Sequence, residues 1–159
     1  MKEYAGFWLR FVALIIDGII IGIIRAFIVV PILGVLGLSI ASGGMDMFNN
    51  LDDPSDIVAL VTSIIAFAGA IALISTVIWV LYYTLMESSK YQATVGKLAL
   101  GLIVTDVNGG KLDFGKAFLR NVCKILSGMI MMIGYIMAGF TEKKQALHDI
   151  IASTLVVKK

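Results

Sequence analysis

One uncharged stretch limits what this chain can fold into more than any other feature. No side chain from Ile57 to Met86 carries a charge, and most of these residues are aliphatic or aromatic. Because about 20 apolar residues let a helix cross a bilayer core of about 30 Å, the stretch predicts a transmembrane helix. The composition agrees, since 59% of the residues are hydrophobic and 15% are charged, whereas soluble domains carry about 25% charged residues.

Two further apolar stretches lie on either side of this one. The first runs from Phe11 to Ala41 and is interrupted only by Asp17, Arg25 and Pro31. The second, residues 125–140, is short for a full crossing, because it would make a helix of only about 24 Å.

The chain is therefore predicted to be an α-helical integral membrane protein that forms a single membrane domain. We expect two firm transmembrane helices, a third short apolar segment that is either re-entrant or spanning, and a small cytoplasmic β-hairpin. The expected segments are a first apolar segment (7–41), a second helix (57–86), a cytoplasmic loop (87–124), a third apolar segment (125–140) and a tail (141–159).

Several classes of function find no support in the residue content. Cys123 is the single cysteine and His148 the single histidine, which leaves no set of ligands typical of a metal site. No basic stripe is long enough to follow nucleic-acid phosphates. No nucleophile and base are spaced as in an enzyme active site, so we expect no catalysis, no cofactor, no metal and no nucleic-acid partner.

The first helix can be positioned from its ends. Tyr4, Phe7 and Trp8 form an aromatic cluster typical of a membrane surface. Measured from there, Asp17 lies about 14 Å deep, near the bilayer centre, and Arg25 lies about 26 Å along, where it can reach the opposite surface. Residues 26–41 then exceed one crossing, so they form either a bent or interfacial continuation or part of one long tilted helix.

Charge predicts the orientation in the cell membrane. The loop at 42–56 contains four aspartates and no basic residue, whereas the loop at 87–124 is basic. Because positive residues favour the cytoplasmic side, we expect the N-terminus and the basic loop inside and the acidic loop outside. The basic residues concerned are Lys90, Lys97, Lys111, Lys116, Arg120 and Lys124.

The basic loop contains a hairpin signal. Asn108-Gly109 separates the β-forming run 98–107 from residues 111–114, and this dipeptide is common in two-residue hairpin turns. Asp113 is expected to cap a helix that begins near Phe114. Residues 154–157 are also typical of a strand, which could pair with the segment around residues 103 and 104 if the tail lies inside.

Arg10 and Asp17 are the most informative charged pair. Their spacing of seven places them on one helix face but about 10.5 Å apart, so each needs another partner. Asp17 could act in a proton or cation relay, or it could be a buried carboxylate that fixes helix packing. Gly18 and Gly22 form a small-residue pair that would allow a close helix contact, within the chain or with another subunit.

Three separated motifs resemble the RDD family of membrane proteins. They occur in order along nearly the whole chain: Tyr4-Ala-Gly-Phe-Trp-Leu-Arg10 with Ile16-Asp17, then Thr94-Val-Gly-Lys97 with Gly101 to Asp106 and Gly109-Gly110, then Leu119-Arg120 with Gln145 to Asp149 and Ala152 to Val157. The arginine and two aspartates that name the family correspond to Arg10, Asp17 and Asp149. Ala146 replaces a frequent threonine of the family, and Ser153 replaces a frequent glycine.

The resemblance implies a membrane protein whose activity is poorly defined, with transport suggested and cation/proton exchange proposed for some members. We therefore expect a transporter or exchanger subunit that uses Arg10, Asp17 and Asp149, with Arg25 and His148 as secondary candidates. A possible small cation ligand, the lipid bilayer, and a second copy or a membrane partner protein are the expected partners. The alternative is a structural or accessory protein in which these residues hold the helices and tail together.

Overall fold

The computed structural model describes residues 3–39, 53–129 and 133–159. Most of the predicted acidic loop, the last two residues of the first apolar segment and the middle of the third segment lie outside these ranges. In chain order the elements are α1 (Phe7–Ser39), α2 (Pro54–Ser88), α3 (Val95–Ala99), β1 (Leu102–Asp106), α4 (Phe114–Met129), α5 (Ile133–Ile136), a 3-10 helix (Met137–Gly139), α6 (Leu147–Ile151) and β2 (Thr154–Lys158).

The two predicted long helices are present. Phe7–Val35 and Pro54–Ser88 are the parts of the described chain that are long and apolar enough to cross a membrane. Their apolar side chains face outward, as Phe27 and Leu73 show by being 80% and 68% exposed. The first apolar segment is helical as far as Ser39, with Pro31 inside the helix.

The contacts divide the chain into two compact units. One unit comprises Met1–Ile21 and Trp79–Lys159, and the other comprises Gly22–Ile78. In the second unit, Arg25 donates a hydrogen bond from Nη2 to the carbonyl of Ser75, at 3.1 Å. Arg25 therefore contacts the neighbouring helix, whereas the sequence predicted only that its side chain reaches for the membrane surface.

A small sheet in the first unit joins the tail to the loop that follows α2. β1 and β2 are antiparallel, with Val104 opposite Val156, as the sequence predicted for the tail strand. The other edge of β2 is covered by the N-terminal segment, because the Ala5 amide donates to the Val156 carbonyl at 2.9 Å. Around this sheet lies a small core of Ala5, Leu102, Val104, Leu112, Ala117 and Val156, each 0% or 1% exposed.

The predicted hairpin does not form, because residues 107–113 contain no strand that pairs with β1. The Asp106 carboxylate accepts hydrogen bonds from the Asn108 and Gly110 amides at 2.9 and 2.7 Å, which closes a turn after β1. Leu112 then enters the core, and residues 107–113 form no strand. Asp113 does cap α4 as predicted, since its carboxylate accepts from the Lys116 amide at 3.0 Å.

The third apolar segment does not form one helix across residues 125–140. It is shared by the end of α4, by α5 and by the 3-10 helix. A Cβ added at Gly134 would lie 2.8 Å from Ser127 Oγ, although residues seven apart in one helix are separated by about 10.5 Å. α5 therefore packs against α4 and does not continue the same helix.

Ser153 provides a test of backbone strain at the turn between α6 and β2. Its φ of 52° lies in the left-handed region, which disfavours residues with a Cβ by about 1–2 kcal/mol. Its side chain is exposed, so removing it sacrifices little packing. We expect Ser153→Gly to raise the thermal midpoint of the detergent-solubilised protein by about 2–4 °C, because glycine relieves the strain.

Ser153→Ala is the matched control for this prediction. Alanine also removes the hydroxyl but keeps the Cβ, so it should leave the midpoint close to that of the wild type. Equal midpoint changes in the two variants would show that backbone conformation is not the cause.

Candidate functional site

Asp17 is a residue of α1 and is only 1% exposed. Its carboxylate is surrounded by hydrogen-bond donors. Its Oδ1 accepts from the Tyr82 hydroxyl at 3.0 Å and from the Gly96 amide at 2.8 Å. Its Oδ2 accepts from the Thr94 hydroxyl at 2.5 Å. The carboxylate is thus held by α2 and by the start of α3, and neither partner was predicted from the sequence.

Gly96 explains why the segment at 94–97 can approach α1 so closely. A Cβ at this position would lie 2.9 Å from Asp17 Cγ and would overlap the carbonyl oxygen of Ala13. Glycine therefore lets the backbone amide reach the carboxylate. The partners of Asp17 thus include a segment that follows the end of α2.

Arg10 and Asp149, two of the residues selected by the family resemblance, form an ion pair. The other guanidinium donors of Arg10 reach the Ala5 carbonyl at 3.0 Å and the Lys144 carbonyl at 2.6 Å. One side chain of α1 therefore contacts the N-terminal segment, the tail before α6, and α6 itself.

Asp149 is fully buried but completely paired. Its Oδ1 accepts from Arg120 Nε at 2.9 Å and from Arg120 Nη2 at 2.7 Å, and its Oδ2 also accepts from the Ala146 amide at 3.1 Å. Burial alone would raise the pKa of Asp149, but Arg120 and Arg10 outweigh it and hold the pKa well below its usual range. The group is therefore a permanent carboxylate.

Glu87 is a third buried carboxylate, which the sequence analysis did not select. It is 0% exposed, and its Oε1 accepts from Arg120 Nη1 at 2.7 Å and from Lys124 at 3.3 Å, and also pairs with Lys97. Arg120 thus bridges Glu87 and Asp149. Burial disfavours the charge of Arg120, but these two carboxylates raise the pKa of Arg120 above its usual value.

Two lysines assigned to the cytoplasmic surface are buried instead. Lys97 is 6% and Lys124 is 5% exposed. Lys124 donates to the Asn121 side chain at 2.5 Å and lies 4.0 Å from the centre of the Tyr83 ring. Burial lowers the pKa of Lys97, and lowers that of Lys124 strongly, although Glu87 opposes both shifts.

The sequence did contain a signal for the burial of Lys124. α4 carries its polar residues at helical spacing on one face, which is buried, whereas its large apolar residues are exposed. A water-soluble amphipathic helix has the opposite orientation. The buried face consists of Ala117, Arg120, Asn121, Lys124 and Ser127, and the exposed face includes Phe114, Phe118, Leu119, Ile125 and Leu126.

His148 belongs to the same buried region, being 3% exposed. Its Nδ1 lies 3.3 Å from the Ser127 hydroxyl, and its ring lies 5.0 Å from that of Tyr135. Burial lowers the pKa of His148 well below its usual value, and the nearby Asp149 opposes this only in part. His148 is therefore a neutral hydrogen-bonding group at neutral pH.

The remaining predicted residues are not brought into this region. Arg25 lies in the second unit. Neither Gly18 nor Gly22 makes a close helix contact, because a Cβ added at either position would meet nothing within 4 Å. The predicted close contact is therefore not made within the described chain.

A cavity of about 160 Å³ lies among these charged groups. Its wall includes Asp17 and four cationic side chains, those of Arg10, Lys97, Arg120 and Lys124. Aromatic and aliphatic residues such as Phe7, Phe11, Leu14 and Ile136 line the rest. Among the described residues, no group of three or more His, Cys, Asp or Glu side chains is arranged to hold a metal ion.

Comparison with known proteins decides the family. The family model described as "RDD family" matches residues 4–153, nearly the whole chain. The chain belongs to the RDD family. In this RDD protein Arg10 and Asp149, two of the residues that the family resemblance selected, form an ion pair.

Two relatives of this RDD protein come from Bacillus subtilis (strain 168). The chain is 41% identical over 159 residues, the full length of both chains, to the uncharacterized protein YxaI. It is 30% identical over 155 residues, 97% of this chain and 80% of the relative, to the uncharacterized membrane protein YteJ. No solved structure matches the chain.

The burial of His148 predicts a pH dependence of stability. Its pKa is lower in the folded than in the unfolded state, so its protonation stabilises the unfolded state as pH falls below about 6.5. We expect the folded state to lose about 1.4 kcal/mol from this group at pH 5.5 relative to pH 8.

His148→Gln removes the titrating group but keeps hydrogen-bonding capacity. In thermal unfolding scans from pH 8 to pH 5.5, the midpoint of the wild type should fall more steeply than that of this variant. Parallel curves would mean that His148 is not buried in its neutral form.

Proposed function

We propose that this RDD family protein is a multi-pass protein of the cell membrane and a subunit of a transporter or exchanger. In the proposed orientation, the N-terminus and residues 87–124 face the cytoplasm. The basic residues of that region and the four aspartates of residues 42–56 support this orientation.

The lengths of the apolar helices support placing the bilayer core around the part of α1 that follows Asp17. Residues 18–39 of α1 and 57–81 of α2 provide about 33 and 38 Å of helix, enough for a bilayer core of about 30 Å. Asp17 then lies at the cytoplasmic boundary, and Arg25 is the charge within the core. The outward apolar face of α4 fits the same boundary.

The observation that carries the transport proposal is the cavity beside Asp17. Asp17 lines this cavity together with Arg10, Lys97, Arg120 and Lys124. Charged groups around a cavity next to a membrane are typical of a solute or ion pathway. Two helices cannot enclose such a pathway, so the proposal includes a second copy of the chain or a membrane partner.

Two of the three donors around Asp17 are hydroxyl groups. The hydroxyls of Thr94 and Tyr82 donate to the carboxylate, and a hydroxyl can equally accept a hydrogen bond. If Asp17 takes up a proton, Thr94 can rotate to accept it while the Gly96 amide keeps its bond to the other oxygen. Asp17 can therefore change its charge without leaving its position.

A structural role is the second candidate. It is favoured by the complete pairing of the carboxylates, since Asp17 alone accepts three hydrogen bonds from other segments. On this hypothesis, the charged residues hold the helices and tail together, and no solute enters the cavity.

Asp17→Asn separates the two candidates. Asparagine keeps the size and an acceptor for Gly96 but cannot titrate, so we expect proton movement to be lost and the thermal midpoint to change little. Purified protein in vesicles with an internal pH dye would be given gradients of Na⁺, K⁺, phosphate or succinate in turn. Asp53→Asn, which changes an exposed aspartate, is the matched control and should behave like the wild type.

The transport proposal requires a proton movement in the wild type that depends on at least one of these gradients. Unchanged proton movement in Asp17→Asn would exclude Asp17 as the coupling group. No movement in the wild type with any gradient, together with a large loss of stability in the variant, would instead support the structural role.

A further inference from the structure

The charges around the cavity do not balance. Four cationic side chains line it, those of Arg10, Lys97, Arg120 and Lys124, together with the carboxylate of Asp17. The cations pair with two further carboxylates, Glu87 and Asp149. Fully charged, these seven groups carry a net charge of +1 and would repel a cation from the cavity.

We propose that this cavity binds an organic anion, a carboxylate or phosphate group attached to an apolar body. The proposal deepens the proposed function by naming the class of solute at the same site. One negative charge would neutralise the excess, and the cavity of about 160 Å³ has room for a group of several non-hydrogen atoms.

Lysine donors are available for such an anion. An ammonium group has three N–H donors, and among the described residues Lys97 makes a side-chain hydrogen bond to Glu87. Lys124 donates to Glu87 and Asn121. The Glu87 carboxylate holds both ammonium groups in place, so an anion in the cavity would meet two positioned positive charges.

The remaining walls favour an apolar body on the anion. Phe7, Phe11 and Leu14 of α1 line one part of the cavity, and Ile136 of α5 lines another. Apolar walls beside fixed polar groups are the usual combination in sites for small organic molecules. Inorganic ions would leave these walls uncovered.

Without an anion, the protein can reduce the excess charge by releasing a proton from a lysine. Burial lowers the pKa of Lys124 well below that of a surface lysine. Binding of an anion would restore the charged form, so binding and proton uptake would be linked at this cavity.

The test compares three probes of one chain length on the full protein in phosphatidylcholine nanodiscs. Octanoate is anionic, octanol neutral and octylammonium cationic. We expect octanoate at ten times its dissociation constant to raise the thermal midpoint by about 2–4 °C, and the other two probes to have little effect. Equal shifts from all three probes, or a larger shift from octylammonium, would overturn the proposal.

Lys124→Met tests the site itself, because methionine keeps the length of the side chain without its charge. The octanoate shift should disappear in this variant. It should persist in Lys116→Met, which changes an exposed lysine on the same helix. Loss of the shift in Lys116→Met, or its persistence in Lys124→Met, would contradict the assignment.

A second lipid composition distinguishes two sources of the anion. If phosphatidylglycerol nanodiscs raise the midpoint and abolish the octanoate response, a lipid phosphate occupies the cavity. If the octanoate response persists there, the ligand is a water-soluble anion. These binding measurements require no flux, so they can fail while the proton movement assigned to Asp17 is still observed, and the reverse also holds.

Discussion

The buried contact of Arg120 with Glu87 and Asp149 is the interaction on which the organised part of this protein depends. A single guanidinium of α4 joins a carboxylate at the end of α2 to one in α6. Arg10 then joins α6 to α1. An unpaired buried charge costs several kcal/mol, so each of these elements can take its position only when the others are in theirs.

Charge pairing has this importance because the apolar core is small. Six side chains around the two-stranded sheet form the core cluster, whereas most large apolar side chains of α1, α2 and α4 face outward. In water this arrangement would expose large apolar surfaces. At a membrane it is favourable, since lipid covers the apolar faces and the polar groups must find partners inside the protein.

Part of this structure could be predicted from local patterns. The uncharged stretch at 57–86 located α2, and Asp113 located the start of α4, because each depends on neighbouring residues. Asp149 was selected only through the family resemblance, and no local pattern indicated its pairing with Arg10. The burial of Lys97 could not be predicted from the sequence. The rule that lysines favour the cytoplasmic side applies to exposed loops, whereas Lys97 is buried because the folded chain brings it to Glu87. The predicted hairpin was wrong because Leu112, after the Asn-Gly turn, enters the core and starts no second strand, whereas β1 pairs with the distant β2.

A double-mutant cycle on Glu87 and Lys97 tests most directly whether buried charge pairing holds the fold together. Glu87→Gln, Lys97→Met and the double variant would be compared by their free energy of unfolding in detergent, with the exposed pair Glu3 and Lys158 as control. We expect a coupling free energy of about 1–3 kcal/mol for the buried pair. The double variant should therefore be more stable than the sum of the two single changes implies. The exposed pair should show little coupling. Additive effects within about 0.5 kcal/mol for the buried pair would contradict this account.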